Sequence, residues 1–203
     1  MILKESLPFS SIGFIRQWFE ASGVRFRLTR TRSSKLGDYR PPGKGLPARI
    51  SVNSELNPYE FLITLVHEMA HHEVWKEWNN VLFFRKRKSP PHGSLWKNHY
   101  QDLMRPLLNP SVFPHDVLVL LEEYFRDPRA SSKTDLELVR VLKKYDRPDG
   151  HEFLESLPAG MVFILPDGRR FRKQEKLRKR YRCLNLENNR VYLFHPLVKV
   201  HGV

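Results

Sequence analysis

Leu65-Val66-His67-Glu68-Met69-Ala70-His71 carries two histidines four residues apart, with a glutamate directly after the first. An α-helix turns about 100° per residue, so positions four apart return to nearly one face and both imidazoles reach a common point. The flanking residues build the helix. Asn57 is a candidate N-cap, and Phe61, Leu62, Leu65, Val66 and Met69 supply apolar positions along 58–78. His72 lies about 140° round the helix from His67, so it misses that point and is expected beside the site or at the surface.

Two imidazoles held rigidly on a helix suit an ion that takes three protein ligands and keeps a fourth position for water. Zinc is the expected ion, although the same ligands can hold other divalent ions in vitro. It lowers the pKa of its water from about 15.7 towards roughly 7, and a carboxylate in reach can take the proton as the water attacks a peptide carbonyl. Glu68 is the expected general base. The third ligand is sought in Pro90-Pro91-His92-Gly93-Ser94-Leu95-Trp96-Lys97, with His92 preferred and His99 as runner-up. The two prolines stop any preceding helix, and 94–108 resumes a helical pattern with Trp96, Leu103 and Met104 as apolar positions.

His67-Glu68-Met69-Ala70-His71, followed by His92-Gly93 and Trp96-Lys97, resembles the SprT-like zinc metallopeptidases, relatives of the DNA-protein crosslink protease Spartan. Upstream, Arg27-Leu28-Thr29-Arg30-Thr31-Arg32, Leu36-Gly37-Asp38-Tyr39-Arg40 and Arg49-Ile50-Ser51-Val52-Asn53 look like the three short strands that precede the metal helix in that family. The resemblance covers about half of the chain. It implies that His67, His71 and His92 are zinc ligands, that Glu68 is the catalytic acid/base, and that DNA-bound proteins are the substrates. It also implies an α+β, zincin-like core.

Many SprT-like proteins end in a zinc ribbon built from four cysteines, and here the chain departs from the pattern, since Cys183 is the one cysteine. One thiolate cannot make the closed four-ligand set of structural zinc, so Cys183 is expected as a buried thiol, neither ligand nor nucleophile. Residues 160–200 still read as β-hairpins: a strand at 161–165, a Pro166-Asp167-Gly168 turn, a strand at 178–184, an Asn188-Asn189 turn and a strand at 190–194. The expected organisation is a peptidase core at 1–109, a helical connector at 110–150 and a basic β-rich module at 151–203.

With 35 Lys and Arg against 22 Asp and Glu, the chain has a formal net charge of +13, unevenly distributed. Arg85-Lys86-Arg87-Lys88 precedes His92. The run 169–182 holds Arg169, Arg170, Arg172, Lys173, Lys176, Arg178, Lys179, Arg180 and Arg182 against the single acid Glu175. Such density attracts phosphates. Phe171 and Tyr181 within the run can stack on unpaired bases, so nucleic acid is the expected partner; the resemblance points to DNA, single strands included, while the residues themselves choose neither between DNA and RNA nor between strand forms. The rival reading is a nucleic-acid-binding or transcription-associated factor whose zinc site is structural.

An opening helix at 9–22 is expected to bury Ile12, Ile15, Trp18 and Phe19, and helices at 116–126 and 134–144 to pack through Leu118, Leu121, Tyr124 and Phe125. The strand 48–53 is the expected edge for an extended substrate. His99 and Tyr100 are considered as oxyanion donors, and Trp75 and Trp78 as core. The single cysteine and the lack of a charged-then-apolar leader or a membrane-length apolar stretch lead to the expectation of a soluble cytoplasmic protein.

Overall fold

The computed structural model describes residues 5–30, 32, 35–80, 90–129, 135–148 and 150–203. Their architecture is mixed α+β, in two units, Met1–Asp146 and Arg147–Val203.

In the first unit a 3-10 turn (Phe9–Ser11) leads into α1 (Ile12–Ser22), so the opening helix is shorter than expected by one turn. It ends at Gly23, whose φ of 66° suits a residue without a Cβ. Strands β1 (Arg25–Thr29), β2 (Gly37–Arg40) and β3 (Arg49–Asn53) follow, in the sheet order β1-β3-β2. β3 runs parallel to β1 and antiparallel to β2. The expectation that 48–53 is an open edge is therefore corrected. Ile50, Ser51, Val52 and Asn53 are all buried, as befits a central strand, and the edge falls to β2, where Asp38 pairs with Lys35 and Arg40. The Asn53 amide donates to the Leu36 carbonyl (2.9 Å), which sets the pairing. In an antiparallel ladder alternate residues turn outward, so Gly37 and Tyr39 present their N–H and C=O groups on the free side of β2.

Helix α2 (Pro58–Asn80) opens as the sequence implies. Asn57 accepts from the amides of Tyr59 (3.1 Å) and Glu60 (3.0 Å), and Pro58 takes the first helical position, where its missing N–H is harmless. Phe61, Leu62, Ile63, Leu65, Val66 and Met69 are all fully buried, each contributing about 1.5–3 kcal/mol of transfer free energy. The helix is packed between β2 and β3 on one side and α3 (Ser94–Met104) on the other. α3 ends sooner than expected, in a 3-10 turn at Arg105–Leu107 that contains Pro106.

Helices α4 (His115–Tyr124) and α5 (Leu136–Lys143) do not form a separate connector. Val117, Leu121, Tyr124, Phe125, Leu138 and Leu142 join the core that surrounds α2. The Asn57 side chain makes the link explicit, because its amide donates to the Leu142 carbonyl (3.0 Å) and to Asp146 Oδ1 (2.8 Å). One residue thus caps α2 and ties it to the end of α5.

The second unit is an antiparallel sheet in the order β4-β9-β5-β6-β7-β8. Its strands are β4 (Glu152–Phe153), β5 (Val162–Ile164), β6 (Arg170–Lys176), β7 (Tyr181–Asn185), β8 (Val191–Phe194) and β9 (Lys199–Gly202). The expected strand at 178–184 is corrected: it starts at Tyr181 as β7, and a strand that was not expected, β6, precedes the turn before it. The Leu177 amide donates to the Arg180 carbonyl (2.7 Å), so Leu177 to Arg180 form a hairpin tip between β6 and β7. β6 escaped the apolar alternation because Lys173 occupies one of its inward positions. Leu154, Leu157, Phe163, Leu165, Phe171, Cys183 and Val200 form the core of this unit without any metal ligand. Burial pushes the Cys183 thiol up to about 11, so it is inert at neutral pH.

Asn57→Ala removes the cap and leaves the Leu142 carbonyl and Asp146 without that donor. We expect it to destabilise the first unit by about 2 kcal/mol, read as a lower urea midpoint at unchanged slope.

Candidate metal centre and basic surface

His67 and His71 lie one turn apart on α2, and the turn before α3 brings in His92. The Nε2 atoms of His71 and His92 each lie 3.2 Å from His67 Nε2, and the three ligand atoms fall within 4.8 Å of one another. A tetrahedral ion with metal–nitrogen bonds of about 2.0–2.1 Å needs ligand atoms roughly 3.3–3.4 Å apart, so this donor set fits zinc. The fully buried Trp96 indole lies beside the cluster, with ring centres 4.7 Å from both His67 and His92, and its Nε1–H donates to the His67 carbonyl (3.4 Å). Burial, followed by the neighbouring imidazoles, holds His67 down at about 2 and His71 at about 4. Burial also lowers His92. All three are therefore neutral at pH 7, with lone pairs available to a metal.

Glu68 is 7% exposed and packs against β2. Burial, with a further push from Asp38, raises its carboxyl to about 8. The Tyr39 backbone N–H, Lys35 and Arg32 act in the opposite direction. A Cβ built on Gly37 would lie 2.5 Å from Glu68 Oε1, 2.8 Å from its Cγ and 2.9 Å from Thr64 Cγ2. Only glycine admits this approach. Gly37 and Tyr39 were read as strand residues without a role, and no spacing rule marks them, because their importance comes from a contact between β2 and α2.

Other expectations resolve differently. His72 is buried, and its Nδ1 lies 3.1 Å from the Tyr39 hydroxyl, so it bridges α2 to β2 outside the histidine cluster. His99 Nε2 pairs with Glu77 (2.8 Å) and is not among the three clustered ligands. Tyr100 is in the core and its hydroxyl donates to the Ile63 carbonyl (3.1 Å), which removes it as an oxyanion donor. Trp75 stacks on His72 and is half-buried, as is Trp78.

The basic run separates into different environments. Arg170, Arg172, Arg178, Lys179 and Arg180 are exposed. Arg169 pairs with Asp167 (2.7 Å) and Arg182 with Glu175 (2.8 Å). Lys173 is corrected: it is 4% exposed, its ammonium donates to the Glu155 and Leu157 carbonyls, and it lies 4.2 Å from the Tyr181 ring centre. An inward strand position forces this role. Stacking by Phe171 and Tyr181 is corrected for the same reason, since Phe171 is fully buried and Tyr181 is packed on the core beneath two lysine ammoniums. The cluster Arg85-Lys86-Arg87-Lys88 lies outside the described residues.

No helix among the described residues is long and apolar enough to cross a membrane. No protein-family model, curated protein or solved structure matches the chain.

Two opposing pH dependences follow for the metal-free protein. The folded histidines titrate below their unfolded value of about 6.5, so their contribution is present above that pH and is lost as pH falls towards about 4 and below. Glu68 titrates above its unfolded value, so its contribution is present in acid and is lost as pH rises towards about 8. In chelator, Glu68→Gln should therefore raise the melting temperature at pH 8 and leave it unchanged near pH 4, as thermal melts at the two pH values would record.

Proposed function

We propose that this chain is a zinc metallopeptidase of the SprT-like kind, with a zincin-like core, and that it cleaves DNA-associated proteins. The observation that carries the reading is the convergence of three neutral imidazole Nε2 atoms beside a buried carboxylate. His67, His71 and His92 would hold the ion. Zinc, when bound, supplies a Lewis acid and a water acidified to about pKa 7.

The chain's own residues do the rest. Glu68, fixed against Gly37 and held by the Tyr39 N–H, takes the proton of the attacking water as its oxygen bonds to the peptide carbonyl carbon. Glu68 then gives the proton to the departing amine as the C–N bond breaks. With the Tyr39 N–H taken by Glu68, the outward Gly37 N–H and the Gly37 and Tyr39 C=O groups of β2 are what an extended substrate backbone can pair with, with little demand on its side chains. Exposed Arg170, Arg172, Arg178, Lys179 and Arg180 support binding to DNA phosphates.

Zinc-loaded wild type should cleave a DNA-bound basic protein, faster with single-stranded DNA, while Glu68→Gln keeps zinc and loses at least about 10³-fold in kcat. A wild type that binds zinc and DNA but cuts nothing would favour a binding factor with a structural site. Gly37→Ala, which displaces Glu68 but touches no ligand, should retain zinc and lose most of kcat. Replacing Arg178, Lys179 and Arg180 with Ala should lower the salt dependence of single-stranded DNA binding by about 2 in log–log slope, at about 0.7 per phosphate contact. Titrations between low and moderate salt measure this.

A further inference from the structure

We infer that Tyr39 and His72 are positioning residues for Glu68, a role that rests on the peptidase reading: their hydrogen bond fixes β2 along α2 and so keeps the carboxylate in place beside the imidazole cluster. Thr64, Glu68 and His72 follow one another at intervals of four residues on α2, so they share a face at steps of about 6 Å. Gly37 and Tyr39, two apart on β2, look onto that face at a spacing of about 6.6 Å. The two repeats nearly coincide, and the contacts follow them. A Cβ on Gly37 would meet Thr64 and Glu68, whereas the Tyr39 hydroxyl reaches the next turn of the helix and lies 3.1 Å from His72 Nδ1.

Gly37 makes room for the carboxylate but has no side chain with which to hold the strand. Pairing with β3 fixes β2 within its sheet, and the apolar contacts between that sheet and α2 are non-directional. A directional link from β2 to this face of α2 is supplied by Tyr39 and His72. It sits one turn beyond Glu68, on the strand residue whose N–H holds that carboxylate. A slip of β2 along α2 therefore moves the gap at Gly37 and the N–H of Tyr39 together, and a displacement of about 1 Å near reacting groups can cost about 10²-fold in rate.

His72 itself is hard to explain as packing. It is 3% exposed, its bond to Tyr39 is the one hydrogen bond it makes among the described residues, and its Nε2 is buried without a partner. It also lies outside the cluster of three ligand atoms. A half-satisfied buried imidazole is destabilising where an apolar side chain would not be. Its orientation is nevertheless fixed, with Trp75 stacked on it (5.8 Å between ring centres) and Trp18 edge-on to it (5.5 Å). Trp18 is held in turn, since its Nε1–H donates to Glu73 Oε1 (2.8 Å). What the imidazole provides for this cost is a rigid partner for the Tyr39 hydroxyl.

The test is steady-state cleavage of a DNA-bound basic protein by the zinc-loaded full chain and four variants, with zinc content and melting curves recorded for each. Tyr39→Phe keeps the ring and removes the hydroxyl, and should lower kcat about tenfold with KM and zinc content unchanged. His72→Ala should do the same, and the double variant should lose no more than either single one. His72→Asn, whose side-chain amide can replace Nδ1 as the partner of Tyr39, should stay within about threefold of wild type. If His72→Ala does not fold, the contrast between Tyr39→Phe and His72→Asn decides. With an active wild type, the inference alone is overturned by an unchanged kcat in Tyr39→Phe, by a loss confined to KM, by loss of zinc, by losses that multiply in the double variant, or by a His72→Asn protein no better than Tyr39→Phe. A zinc-loaded wild type that cleaves nothing overturns the peptidase reading and this inference with it.

Discussion

Everything near the histidine cluster depends on the burial of α2 on more than one side. A helix with one apolar stripe would leave His67, Glu68 and His71 facing water, where histidines and carboxylates keep ordinary pKa values. Here Phe61 to Val66, Met69 and Ala70 are enclosed by β2, β3 and α3, and the polar residues of the next turns are carried into the same apolar surroundings. The cost of desolvating them is set against the transfer free energy of the apolar residues on the same helix. That cost also keeps the imidazoles neutral and the carboxyl protonatable near neutrality.

The enclosure is maintained from both ends of the first unit. Asn57 fixes the start of α2 and connects it to α5, nearly ninety residues later in the chain. Tyr39 and His72 connect the middle of the helix to β2, and Trp96 packs between the two sequence segments that supply the imidazoles. Helices α4 and α5 thus belong to the fold that surrounds the histidines, although they carry no reactive group.

The sequence was legible where local periodicity and spacing determine the outcome. His67 and His71 had to share a face once 58–78 was helical, and His92 was reachable because prolines break the chain before it. The extent of α2, its cap and the buried thiol of Cys183 were also readable. What was not legible came from contacts between distant segments. Which strand lies at the sheet edge depends on β1 running parallel to β3, a choice that no residue of 48–53 announces. Gly37 matters only because Glu68 stands opposite it. β6 was obscured by a lysine on the inner face, where the alternation rule expects an apolar residue, and the same inward position removed Phe171 from the set of stacking aromatics.

Lys173 has a consequence for how the basic run can change. Its ammonium satisfies two main-chain carbonyls of the segment Leu154–Ser156 and the residue after it, inside a small core with few other polar contacts. The neighbouring cations at the surface can be exchanged, lost or moved during divergence with only their electrostatic contribution at stake. Lys173 cannot, because a shorter or acidic residue would strand those carbonyls. A stretch that looks uniform by charge therefore contains two rates of permissible variation, and a relative that has lost its surface cations should still carry a lysine at this one position.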